Sequence, residues 1–330
     1  MIDGNDEPQR QIVPAGSKPP VRPAVLLQGL LWTALGAAAS SYLPYLGVFL
    51  LAYGMRELLE AKKGKGLCAG LGVCLVVFAA ACAWDFVFAL SLVLVPVFVC
   101  AAGITWCMWR GRASVTAVCI VIVAASLLSL GIDASIASMS GVSLSESFIA
   151  LLQQTVRSAV GSDIQGDLLV SQVMPLLRVI WPFVYVASAM FDALVAGIGS
   201  YTMSVRCTGV RRMPQIANFD APMWCVGVLA LCILGLGASF ADIPQAQLVR
   251  TVCASALASL RVVFALQGFG VVSALEAKRR MGCLTRFVIT FLTVWLETMF
   301  FAMCIVGLID IWANFRGLAR EQVRVDKAKQ

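Results

Sequence analysis

From residue 24 to residue 312 apolar residues follow one another with little interruption, and short polar clusters divide the run into nine segments: 24 to 40, 42 to 55, 67 to 84, 87 to 109, 114 to 131, 173 to 203, 223 to 241, 251 to 275 and 287 to 312. A helix rises about 1.5 Å per residue against a hydrocarbon core of about 30 Å, so roughly 20 apolar residues suffice to cross a bilayer. Most of the nine segments meet that length. Tyr42 to Met55, at about 21 Å, does not. Pro44 stands where a re-entrant or tilted half-helix would begin. The pattern predicts an all-α chain, a polytopic transmembrane helical bundle of about 8 to 9 membrane segments.

The long loop, residues 132 to 172, carries helical periodicity of its own in Phe148, Leu151, Leu152, Thr155, Ala159 and Val160, and Ser143 followed by Glu146 is a capping-box spacing. It predicts one external amphipathic helix on the bundle mouth or the bilayer surface, a connector or a lid. Residues 1–23 are polar and proline-rich, which predicts a disordered N-terminal tail. Residues 24–312 read as a single transmembrane helical domain, and 313–330 as a basic C-terminal tail.

Composition agrees with lipid as the solvent: 60% of residues are hydrophobic, 13% charged, and the mean hydropathy is +0.88. The net charge of +7 resides in short loops between apolar segments, which is a topology signal and argues against nucleic acid as a partner. With all nine segments crossing and the N-terminus inside, the inner loops hold 16 Lys and Arg and the outer ones 7. If the short segment does not cross, the bias is lost. The misfit is the basic tail, which this count leaves outside. The location implied is the plasma membrane, multi-pass, with a cytoplasmic N-terminus.

The chain has no histidine, and its 12 cysteines are scattered without CxxC spacing, so they read as reduced thiols packed between helices. No metal site, cofactor or paired nucleophile and base is legible, and the chain does not read as an enzyme. Ionisable residues at membrane depth are the candidates for function, because each costs on the order of 2.5 to 3.5 kcal/mol at the bilayer centre and needs a partner or a wet cavity. Arg261 and Glu297 each lie about 15 Å from their helix ends on consecutive helices, which predicts an ion pair, either a structural lock or a ligand site. Asp192 lies deep in its segment and is about 21 Å from Arg178, so it needs another partner. Trp181-Pro182 and Pro96 predict kinks. Asp85, Asp133, Asp242 and Asp310 read as interfacial caps. In the first segment Ala34 with Ala38, and Gly36 with Ser40, form small-xxx-small pairs suited to close helix approach.

The C-terminal third holds Gln267-Gly268, the basic turn Lys278-Arg279-Arg280, and Gly307-Leu308-Ile309-Asp310-Ile311-Trp312 followed by Asn314-Phe315-Arg316, and the stretch from Phe219 to Trp224 reads FDAPMW. Together these resemble the YybS-like family of bacterial integral membrane proteins, a domain of unknown function, over roughly residues 24 to 316. That family is distantly similar to the substrate-binding subunits of energy-coupling-factor transporters. The resemblance implies that a small-residue face on the first helix, here Ala34 and Ala38, meets other membrane subunits or an ATPase module. The chain has more spans than such subunits. The reading is a non-catalytic transport or small-molecule-binding membrane component, with Arg261, Glu297, Asp192 and Gln267 lining an internal site; its alternative is a membrane scaffold or assembly factor with no small-molecule ligand.

Overall fold

The structure is a computed structural model, and it describes residues 24–84, 92, 94–111, 114–160, 164–208, 216–241, 245–279 and 281–318. The expected disordered tail, the chain beyond 318, Asp85 and Asp242 lie outside the described residues. Among the described residues all regular structure is helical: α1 Leu26–Ala39, α2 Pro44–Lys62, α3 Gly64–Trp84, α4 Leu94–Trp109, α5 Val115–Met139, α6 Leu144–Val160, α7 Ile164–Ile180, α8 Phe183–Thr208, α9 Trp224–Ala238, α10 Ala246–Lys278, α11 Cys283–Phe300 and α12 Ala302–Ala313, with a 3-10 turn at Ile216–Asn218. Four helices are long and apolar enough to cross a membrane, Gly64–Ala83, Val115–Met139, Phe183–Cys207 and Ala246–Lys278; α11 and α12 make a fifth if counted as one bent span.

The short segment at 42 to 55 is the largest departure from expectation. It is the first two-thirds of a 19-residue helix, and that helix is the most buried of all, with Val48, Leu51, Ala52, Met55, Leu58 and Leu59 fully enclosed. Pro44 starts α2 in its first turn, where the missing N–H breaks no helical bond, and the helix continues through Arg56, Glu57 and Glu60, where Arg56 pairs with Glu60 and Glu57 accepts from the Val25 amide. Glycine decides how close its neighbours come. A Cβ on Gly36 would strike the backbone of Leu51, one on Gly47 that of Ser40, and one on Gly54 that of Thr33. Residue numbers rise on one helix as they fall on the other, so α1 and α2 are antiparallel with backbones in contact. Thr33 and Ser40 turn their hydroxyls onto the carbonyls of Gly29 and Gly36, at 2.7 and 2.8 Å, so neither brings an unmet donor into the seam.

Lys63, at φ 53°, turns α2 directly into α3, and α8 then packs along α2, Gly199 against the Phe49 carbonyl and Arg206 against Tyr53. With α4 and α5 these helices enclose one apolar core, including Leu51, Phe98, Ala101, Ile104, Ala125 and Ala196. A second core joins Ala221, Cys225, Leu260, Phe264 and Ile311, from the segment leading into α9 and from α9, α10 and α12. The outer surface stays apolar, with Leu31, Leu75, Ile120, Leu127, Leu231 and Phe287 among many large side chains exposed. The eleven cysteines described are free thiols, four of them buried.

Three expected features take a different form. The segment 173 to 203 is broken at Trp181-Pro182 into α7 and α8, while Pro96 falls in the first turn of α4 and bends nothing. The loop 132 to 172 is mostly helix: α5 runs on to Met139, so Asp133 is inside it and accepts from the Tyr185 hydroxyl at 2.7 Å. The amphipathic helix α6 follows, anchored by Phe148 against Trp181 and Tyr185, both 5.7 Å between ring centres. Finally, 287 to 312 does not run straight, because α11 and α12 meet at 99°.

Candidate functional site

That bend is built from the residues the sequence placed at membrane depth. Phe301 takes a left-handed backbone, φ 53° and ψ 28°, a conformation that costs a non-glycine residue about 1–2 kcal/mol. It ends α11 and starts α12. The free amides at the new helix start then need acceptors, and Glu297, one turn back, reaches over so that its Oε2 accepts from the Cys304 amide at 3.1 Å. Its other oxygen accepts from the Arg261 Nε at 3.3 Å. The Arg261 guanidinium lies over the Phe301 ring at 3.9 Å, a cation–π contact. Arg261 and Glu297 therefore do pair, and around them α10, α11 and α12 are pinned at one point. The arginine side chain keeps 43% of its surface open, so one face of the clamp remains accessible.

Gln267 lies six residues further along α10, about 9 Å away, and serves a different cluster. It is completely buried; its amide donates to Asp310 at 2.8 Å and to Asp220 at 3.4 Å, and its oxygen accepts from the Ala221 amide at 2.9 Å. Asp310 is also completely buried, which corrects its assignment as an interfacial cap. It accepts from the Phe315 amide at 2.9 Å and pairs with Arg316, also at 2.9 Å. The Arg316 guanidinium donates onward to the carbonyls of Ala217 and Phe219, at 2.8 and 2.6 Å. Close approach of α10 and α12 makes this possible, because Cβ atoms on Gly268 and Gly307 would each collide with the other helix's backbone. The stretches FDAPMW, Gln267-Gly268, GLID and NFR thus converge on one buried network.

Asp192 does not join either cluster. It belongs to the first core, on α8, is 9% exposed, and makes no ion pair or hydrogen bond among the described residues. Ala34 is half-buried and Ala38 exposed, whereas Gly36 and Ser40 are consumed by packing on α2. Sequence reasoning missed a third polar group at the α2–α3 turn. There Arg56 pairs with Glu60 at 2.7 Å and donates to Ser204 at 3.2 Å, and Glu57, 1% exposed, accepts from the Val25 amide at 3.2 Å. These residues read as loop charges because the helix carrying them was taken to stop at Met55. Comparison with protein families, with curated proteins and with solved structures finds no match to this chain.

Proposed function

We propose that the chain is a multi-pass plasma-membrane protein with a cytoplasmic N-terminus, acting as a non-catalytic transport or small-molecule-binding component. The observation that carries this reading is the broken pair α11/α12, clamped at its bend by Arg261 and Glu297. Interrupted helices at membrane depth are where transporters commonly place binding sites, because helix ends and ionised side chains meet there away from lipid. An accessible arginine face beside such a break suits a ligand bearing negative charge.

The topology proposed has eight crossings, α1 to α5 and α8 to α10, with α11/α12 as a re-entrant ninth segment. Contacts between helix ends support it. Tyr185 meets Asp133 and Arg250 meets Ser239 at one side; Trp224 meets Thr116, and Gly64 faces Trp106, at the other. Arg316 binds the carbonyls of Ala217 and Phe219, which immediately precede α9 on the cytoplasmic side of this scheme. The tail charges Arg316, Arg320, Arg324, Lys327 and Lys329 then count as cytoplasmic, leaving Arg157, Arg178 and Arg250 as the basic residues of the outer connections. A reporter fused after Gln330 is expected to be active in the cytoplasm, and an external signal would reverse the re-entrant assignment.

The ligand reading is tested by native mass spectrometry of the purified full chain, wild type against Arg261→Ala. A small molecule retained by the wild type and lost from the variant at unchanged thermal stability is the expected result. Equal loss of folding would make the pair structural only. One observation favours a scaffold instead: Leu27, Leu31, Leu35 and Ala38 leave a face of α1 uncovered. Mild-detergent pull-down separates the two, an ATPase pair supporting transport and envelope or division proteins supporting the scaffold.

A further inference from the structure

We propose that Asp192 and Thr105 form a binding site for a monovalent cation of the sodium class where α2, α4 and α8 meet. The first observation is the carboxylate itself. Asp192 is nine-tenths buried with no cationic partner among the described residues, and a buried ionised group without compensation is among the costliest arrangements a protein interior can hold.

The second observation is independent of it. The buried hydroxyls of Thr33, Ser40 and Ser126 donate to a carbonyl three or four residues back, whereas those of Thr105, of Ser200 on α8 and of Ser255 on α10 have no partner among the described residues. Thr105 is completely buried and its hydroxyl has no partner among the described residues. A buried hydroxyl oxygen without a partner and a carboxylate at the edge of the same apolar core are the hard oxygen ligands such a cation takes.

Register brings the two together. On the parallel pair α4 and α8, the Cys100 thiol donates to the Ala189 carbonyl at 3.6 Å, and a Cβ on Gly197 would lie 3.9 Å from the Met108 sulfur. By the same offset Thr105 stands level with residue 194, about 3 Å along the axis from Asp192. Facing agrees. Asp192 is two turns from Gly199, which touches Phe49 of α2, so it shares the α2-facing stripe of α8. Gly103 meets Val121 of α5, and Thr105, two residues on, lies on the side of α4 turned away from α5. A single carboxylate matches a single positive charge, and the described residues contain no cluster of three metal-ligating side chains of the kind a divalent ion prefers.

A role for this cation in driving uptake rests on the transport reading; its binding does not. The test is thermal unfolding of the detergent-purified full chain in sodium chloride against choline chloride at equal ionic strength. Sodium is expected to raise the wild-type midpoint in a saturable way, Asp192→Asn to abolish the response, and Thr105→Val to raise the half-saturating sodium concentration on the order of tenfold. Should Asp192→Asn fail to fold, the near-isosteric Thr105→Val decides alone. Equal midpoints in sodium and choline for the wild type, an undiminished sodium response in either variant, or a midpoint that follows only pH would overturn the site. Sodium binding without any substrate uptake would count against the transport reading and leave the site standing.

Discussion

Removing Asp310 tests how the C-terminal half is held. Its carboxylate accepts from Gln267, from the Phe315 amide and twice from Arg316, at 2.8 to 3.1 Å, in a place without exposure. Asp310→Ala leaves Arg316, whose side chain is 2% exposed, with Asp220 at 3.7 Å as its one remaining countercharge among the described residues. Stranding one partner of a buried pair costs about 3–5 kcal/mol, and the remaining Asp220 contact places the expectation near the lower figure, about 3 kcal/mol. A thiol-reactive dye reports the loss directly, because Cys225, completely buried in the adjacent core, becomes reactive on unfolding. Arg316→Met and the double variant complete a cycle. The double variant should be more stable than the summed single effects predict, by more than about 1 kcal/mol, because it leaves no stranded charge. Additivity within about 0.5 kcal/mol, or a single-variant cost below about 1 kcal/mol, would refute the argument that the network locks α12 onto α10.

Other substitutions probe the helix seams and the bend. Gly36→Leu and Gly268→Leu should each cost at least about 1–3 kcal/mol, since each new side chain meets backbone that has no room to shift; an unchanged unfolding midpoint would deny the close contacts. Glu297→Ala removes the cap on α12 and should cost about 0.5–2 kcal/mol while making the Cys304 amide exchange faster in hydrogen-exchange mass spectrometry. Protection equal to wild type would dissociate Glu297 from the bend. Tyr185→Phe loses the bond to Asp133 and should destabilise by about 1 kcal/mol, with more proteolysis in α6 than elsewhere, because Phe148 packs on the same ring.

The helical class and the presence of long apolar helices were legible in the sequence, because apolar run length and the scarcity of charge are local properties. The pairing of Arg261 with Glu297 was legible for a related reason: two ionisable residues at equal depth on consecutive antiparallel segments have few other places to go. Depth along one helix, however, says nothing about rotation about it or about where it ends. Asp310 at the end of an apolar run and Arg316 in a basic tail look like boundary residues, and only the 99° turn at Phe301 carries them back against Gln267. Likewise α2 continues past Met55 with Glu60, Ser204 and the Val25 amide as partners for Arg56 and Glu57, and those partners lie one helical turn or many residues away. Hydropathy charges each ionised residue the full cost of burial, whereas the folded chain lowers that cost for some of them with partners brought from elsewhere and leaves Asp192 without one among the described residues, so the length of α2, the break between α11 and α12 and the isolation of Asp192 were decided only by tertiary structure.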